Sequence, residues 1–257
     1  DERIPVPIQD LNLQVNFNGS QADLDGSWES NGTGTGEIGG TVDWTGAPRV
    51  VVSVQGDNLP LHYEPYADLM VSPDLEIRFV GGELSIVGRV AIPSGSIEIR
   101  ELPEQAVEVS EDEVIVGTEA QEGTPLKLAM DVTVVVGEEE VTFKGFGVTG
   151  ELKGELRIGN QMETRGTLRL VNGRYAAFGQ ELELRRARLV FVGPIGDPYV
   201  DIEAIRRVDD VLAGIRLSGP AREPETDIFS EPAMSQNQAL SYLVLGRPLQ
   251  SQGDQTS

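Results

Sequence analysis

The 257-residue chain carries 42 acidic and 20 basic residues, a formal net charge of −22, with 39% apolar residues, 30 glycines and no cysteine. Enough apolar residues are present for a core, which argues against global disorder, and without cysteine there is no disulfide, thiolate nucleophile or Cys-based metal site. A polyanion of this size is repelled by phosphate backbones, which sets nucleic-acid binding aside.

Strand-like alternation begins at Leu11–Phe17, where Leu11, Leu13, Val15 and Phe17 share one face. Asn18-Gly19 follows as a hairpin signal, and Ala22, Leu24 and Trp28 continue the alternation. Asn31–Gly40 is rich in Gly and Thr and reads as a loop, with strands at Thr41–Trp44 and Arg49–Gln55. The alternation returns through Leu75, Ile77 and Phe79, then through Leu84, Ile86, Val90 and Ile92, and then through Ile97 and Ile99. From Pro103 to Pro125 the rhythm breaks into an acidic surface connection with a short candidate strand at Val114–Val116.

The clearest ladder comes next. Leu126, Leu128, Met130, Val132, Val134 and Val136 alternate with Lys127, Asp131 and Thr133. After a turn at Gly137–Glu140 come Val141–Val148 and Glu151–Ile158, the latter turning Leu152, Leu156 and Ile158 to one side. Asn172-Gly173 reads as a hairpin turn between Thr167–Val171 and Arg174–Phe178, and further strands follow at 181–184, 187–192, 199–205 and 211–217. Ser235 as N-cap, Gln236–Leu245 and Gly246 with Pro248 predict one helix, with Ala239, Leu240, Leu243 and Val244 as its apolar face. Strands succeed strands without intervening helices, so the fold class is all-β and largely antiparallel. Residues 1–229 form one sheet domain in this reading, 230–249 a helical segment and 250–257 a disordered tail.

Charge is segregated along the chain. Residues 101–140 hold twelve acids against Lys127 alone, whereas residues 141–222 hold thirteen bases against ten acids. No apolar window reaches the roughly 18–20 residues that span a bilayer, and Asp1–Pro7 is not a signal peptide, so the chain reads as a mature protein or a segment of something longer.

Catalytic equipment is scarce. Gly34-Thr-Gly36-Glu-Ile-Gly39 spells the dinucleotide fingerprint, but a strand start follows where a helix is needed. His62 is the single histidine, in a strand-like Leu61-His62-Tyr63, with no nucleophile elbow anywhere. Asp201 and Glu203 share a strand face and could in principle serve as a carboxylate pair, but at 5% aromatics the chain is poorly supplied for a sugar cleft. Glu111–Glu113 and Glu138–Glu140 lack EF-hand spacing. Arg185-Arg186-x-Arg188 fits a lipid headgroup, an acidic partner or a guarded strand. No catalytic residue, metal or cofactor is expected.

Asn172-Gly-Arg-Tyr-Ala-Ala-Phe-Gly-Gln-Glu-Leu, Phe191-Val-Gly-Pro, Pro198-Tyr-Val-Asp-Ile-Glu-Ala-Ile-Arg and Ile228-Phe-Ser-Glu-Pro-Ala-Met-Ser-Gln-Asn-Gln-Ala-Leu resemble the C-terminal domain family of TamB, as do Val71-Ser-Pro-Asp-Leu and Glu101-Leu-Pro-Glu-Gln-Ala-Val. The resemblance implies a strongly curved, taco-like sheet with an apolar groove. It also implies an envelope protein anchored in the inner membrane of diderm bacteria, crossing the periplasm to a TamA-like outer-membrane barrel protein. Phospholipids and unfolded outer-membrane proteins, including autotransporters, are the implied clients. Family members begin with a membrane helix and continue past the point matching Ser257, so the docking segment for TamA is expected to lie outside this chain. On this view the groove is lined by Leu75, Ile77, Phe79, Leu84, Ile86, Val90 and Ile92, by the ladder Leu126–Val136, and by Leu152, Leu156 and Ile158. Periodicity is the same for such a groove and for a closed sandwich core; the resemblance selects the groove.

Overall fold

A computed structural model describes residues 8–99, 127–177 and 179–248. Leu126, the connection at 103–125 with its Val114–Val116 and Glu111–Glu113, and the tail 250–257 lie outside the described residues. Before residue 100 the chain forms β1 (Gln9–Asn18), β2 (Gln21–Ser30), β3 (Gly34–Asp43), β4 (Arg49–Asp57), β5 (Leu59–Tyr63), β6 (Ala67–Val80), β7 (Glu83–Ile92) and β8 (Gly95–Ile99). After residue 126 it forms β9 (Lys127–Val136), β10 (Val141–Gly145), β11 (Val148–Ile158), β12 (Glu163–Ala177), β13 (Gln180–Pro194), β14 (Tyr199–Val208), β15 (Val211–Pro220) and β16 (Glu225–Glu231). Among the described residues there is one α-helix, α1 (Gln236–Leu245), near the C-terminal end, and one short 3-10 turn at Asn160–Met162.

All sixteen strands belong to one curved sheet. Its path runs β1-β2-β3-β4-β6-β7-β9-β11-β12-β13-β14-β15-β16, with the short β5, β8 and β10 extending β4, β7 and β9. Pairing is antiparallel except at the middle, where β7 runs parallel to β9 and β8 parallel to β10. Parallel neighbours need a crossover rather than a hairpin, and β7 and β9 are correspondingly not consecutive, with β8 between them in the chain.

Three local readings are corrected by the sheet. The Gly-rich stretch taken as a loop is mostly strand β3. A Cβ at Gly36 would lie 2.1 Å from the Trp28 ring, and one at Gly40 would lie 2.4 Å from the Val51 carbonyl oxygen. Glycine there marks close packing inside a strand, not a turn. The same placement puts the fingerprint string in a strand, without the helix that phosphate binding requires. Asn172-Gly173 is no hairpin either, because β12 runs straight through it. Thr149 faces Arg174 and Glu151 faces Val171, so Asn172 and Gly173 together oppose Gly150 as a bulge. Asn172 takes φ 52° and its side-chain amide donates to Glu151 at 2.9 Å. The strand β16 was missed because Ile228 and Phe229 are adjacent and show no alternation.

The helix matches its sequence signals. Ser235 accepts from the Gln238 amide, and Gly246 closes the helix at φ 68°. Its buried face is Ala239, Ser241 and Leu243, while Leu240 is exposed.

Glycines on the apolar side of the strands stand where neighbouring backbones approach closely. Gly154 faces Leu168 and Gly166 faces Leu156, at φ 154° and 142°. A Cβ on either would come within 2.1 Å of a carbonyl oxygen on the neighbouring strand. Gly166→Ala is therefore expected to destabilise the domain by about 2–4 kcal/mol, read as a lower denaturation midpoint, whereas Gly196→Ala, in open space, is expected to leave the midpoint nearly unchanged.

Candidate functional site

Strand pairing places side chains of opposed residues side by side on one face. One row runs Phe17–Ala22–Val42–Val50–Phe79–Leu84–Leu128 across seven strands. A second runs Leu13–Gly26–Ile38–Val54–Leu75–Gly88–Val132–Ile158. A third runs Ile92–Val136–Gly154–Leu168–Leu189–Val200. Ile77, Ile86 and Met130 lie in register between the first two rows, and Val90, Val134 and Leu156 between the last two. The described candidate groove residues thus form one contiguous apolar face, because each strand carries its apolar residues on the same parity as its partner.

Exposure along that face is graded. Val132, Val136 and Leu156 are buried, Leu128 at the start of β9 is 46% exposed, and the other described candidates are half-buried. A further buried cluster sits at the β13–β16 end, where Leu243 of α1 packs with Leu182, Leu184, Ala204 and Ala213. Arg206 anchors the helix by donating to the Leu243 carbonyl at 2.9 Å. This cover was not read from the sequence, although Ala239 and Leu243 at i, i+4 supplied the stripe for it.

The opposite face is charged. Arg185-Arg186-x-Arg188 emerges on it through a bulge in β13 and meets Asp201 and Glu203 of β14. Glu203 is 3% exposed and is held by Arg185, by Arg216 at 3.0 Å and by Arg186 at 3.4 Å. Asp201 takes Arg188 and, at 2.8 Å, Arg186. Arg216 also lies 4.7 Å over the Phe229 ring. Burial works against the Glu203 charge, but hydrogen bonds from Arg216 and Arg185 and their positive charge outweigh it and hold the carboxyl below its ordinary range. Burial likewise opposes ionisation at Asp201, and Arg188 and Arg186 outweigh it. Two carboxylates both held ionised do not make an acid/base pair, so the carboxylate-chemistry reading of Asp201 and Glu203 gives way to an ion-pair network. His62 is exposed and pairs with Asp68 at 2.5 Å, and Glu138 pairs with Arg89 at 2.8 Å. Among the described residues no cluster of His, Asp and Glu is arranged to hold a metal, and no helix is long and apolar enough to cross a membrane.

Comparison with known proteins gives a coherent result. Residues 23–257 match the TamB C-terminal domain family. Across 98% of the chain there is 33% identity to the translocation and assembly module subunit TamB of Haemophilus influenzae, and the alignment covers 21% of that relative's length.

The charged network carries a test of its own. Because the folded-state pKa of Glu203 is lowered, its contribution to stability is complete above the unfolded value of about 4.3 and is lost as pH falls through the folded value. Glu203→Gln is expected to cost about 2–3 kcal/mol at neutral pH. It should also flatten the acid-range loss of stability, as measured by urea denaturation between pH 7 and pH 3.

Proposed function

This chain belongs to the TamB C-terminal domain family, and from that membership we propose that it is the periplasmic part of an envelope-spanning protein that supports outer-membrane biogenesis by shielding phospholipid acyl chains against the apolar face of its sheet. The observation that carries the reading is the graded exposure of that face. Apolar rows cross the middle strands, with glycine at Gly88 and Gly154, and Ile77, Ile86, Met130 and Val134 keep surface available. Branched aliphatic side chains offer contact without headgroup chemistry, which suits an unspecific acyl ligand. Each methylene buried contributes about 0.8 kcal/mol, so about ten in contact contribute roughly 8 kcal/mol before ordering costs. The role is non-enzymatic.

The chain spans 21% of the length of the curated relative it matches, so the architecture of the whole protein is proposed with it. An inner-membrane anchor and a TamA-like barrel in the outer membrane, docked by a segment beyond this chain, complete the module.

A second reading rests on β1. Among the described residues this strand pairs on one side only, with β2, and its Leu11, Leu13, Val15 and Phe17 are exposed. A free apolar edge is a template for an extended client strand, as an assembly module for outer-membrane proteins and autotransporters would use.

One experiment separates the two. A photocrosslinker at Met130 in the full-length protein, with native mass spectrometry of the gently purified domain, is expected to give phospholipid adducts and co-purified lipid. Protein adducts from β1 with no lipid by either method would replace the lipid reading with the client-strand reading.

A further inference from the structure

On the outer face of β11–β14 cations and apolar residues are interleaved in register, with the exposed Glu155 of β11 opposite Thr167. Arg165 of β12 lies between Arg157 and Val192. Val190 lies between Thr167 and Tyr199, and Arg169 lies between Lys153 and Arg188. Three flanking cations are matched within the chain: Arg157 to Asp131 at 2.6 Å, Lys153 to Glu151 at 3.7 Å, and Arg188 to Asp201. Arg165 and Arg169 have no ion pair or hydrogen bond among the described residues, although both are exposed and the chain has twice as many acids as bases. Like charges directly opposed across strands are unfavourable, and Arg165 faces one such neighbour while Arg169 faces two. Beside them Val192 is 76% exposed and Tyr199 56% exposed.

Two exposed arginines without an ion pair, beside exposed Val192 and Tyr199, set this part of the face apart from the ion-paired network around Glu203. Apolar patches rimmed by polar groups mark interaction sites, and Arg and Tyr are the side chains that most often anchor protein contacts. The geometry points to a docking surface here for an acidic protein partner: one that seats an apolar ridge on Val192 and Tyr199 and brings carboxylates to Arg165 and Arg169. Those two arginines are four residues apart on one strand, roughly 13 Å at the usual rise, so the partner's carboxylates have a comparable spacing. The planar guanidinium favours carboxylates through paired hydrogen bonds. A protein surface supplies such acids locally, whereas an anionic bilayer would confront the whole molecule's net charge of −22. The surface is on the face opposite the apolar groove and stands whether or not the groove holds lipid.

The test places a photocrosslinking residue at Val192 or Tyr199 of the full-length protein in its native cells, with a groove position, Val134, as an independent control. The expected result is a discrete protein adduct whose mapped contact segment contains Asp or Glu. Arg165→Glu with Arg169→Glu should lower the adduct's yield about tenfold or more, the effect of losing roughly 1.4 kcal/mol, and changing the mapped acids to Lys should restore it. Both arginines are exposed, and Arg165→Glu gains Arg157 as a partner, so an unchanged unfolding midpoint will show that the fold is retained. An adduct insensitive to charge reversal, adducts to lipid alone, or no adduct at these positions while Val134 still crosslinks would each overturn the proposal.

Discussion

The register between β7 and β9 is the constraint on which the rest of the sheet depends. Ten consecutive residues pair in parallel, from Glu83 with Lys127 to Ile92 with Val136, and this ladder joins the strands before residue 100 to those after residue 126. Side chains alternate with period two, so a slip of one residue would turn Leu128, Met130, Val132, Val134 and Val136 to the charged side. It would also set Lys127 against Leu84, Asp131 against Gly88 and Thr133 against Val90. The hydrophobic pattern and the hydrogen bonds therefore enforce each other, and one apolar surface crosses the parallel joint without interruption.

The two faces of the sheet follow from that alignment. On the apolar side, glycines in the rows, such as Gly154 and Gly166, let neighbouring strands approach more closely than a Cβ permits, and so let the sheet curl. At the β13–β16 end this side is covered by α1 and its Leu243. On the other side, Glu203 and Asp201 gather the arginines of β13 and β15 into a network that tolerates a nearly buried carboxylate because several guanidinium groups reach it. Farther along the same side the matching fails at Arg165 and Arg169, and there the charged face turns from internal cohesion towards an outside partner.

Much of this was legible in the residues, for physical reasons that also mark the limits. One-sided alternation at Leu75–Phe79, Leu84–Ile92 and Leu128–Val136 identified both the strands and their shared face, because burial on one side writes a period of two into the chain. The cap at Ser235 and the stop at Gly246 were equally readable, since each rests on a local hydrogen bond or backbone conformation. The largely antiparallel order was readable from strands joined by short turns, but the parallel joint was not: Leu84 pairing with Leu128 looks the same in sequence whether the strands run parallel or antiparallel. Glycine and Asn-Gly misled because one local signal serves two structures. Gly36 marks close packing under Trp28, and Asn172-Gly173 marks a bulge opposite Gly150. The arginine cluster at 185–188 was visible, but its partners on β14 and β15 depend on pairing that no local window contains. Leu128, placed by its periodicity among the lining residues, is in register but half open to solvent because it sits at the beginning of its strand.

The central claim is that the apolar face is an open lining rather than a sealed core, and the chain's lack of cysteine allows that to be measured directly. A single cysteine at Val134, with one at Leu243 as the sealed reference, can be timed for reaction with a small thiol reagent in native buffer. The account predicts that Val134→Cys reacts without unfolding and slows when phospholipid is added, while Leu243→Cys reacts far more slowly and is indifferent to lipid. Equal protection of both cysteines until the domain is denatured would contradict it.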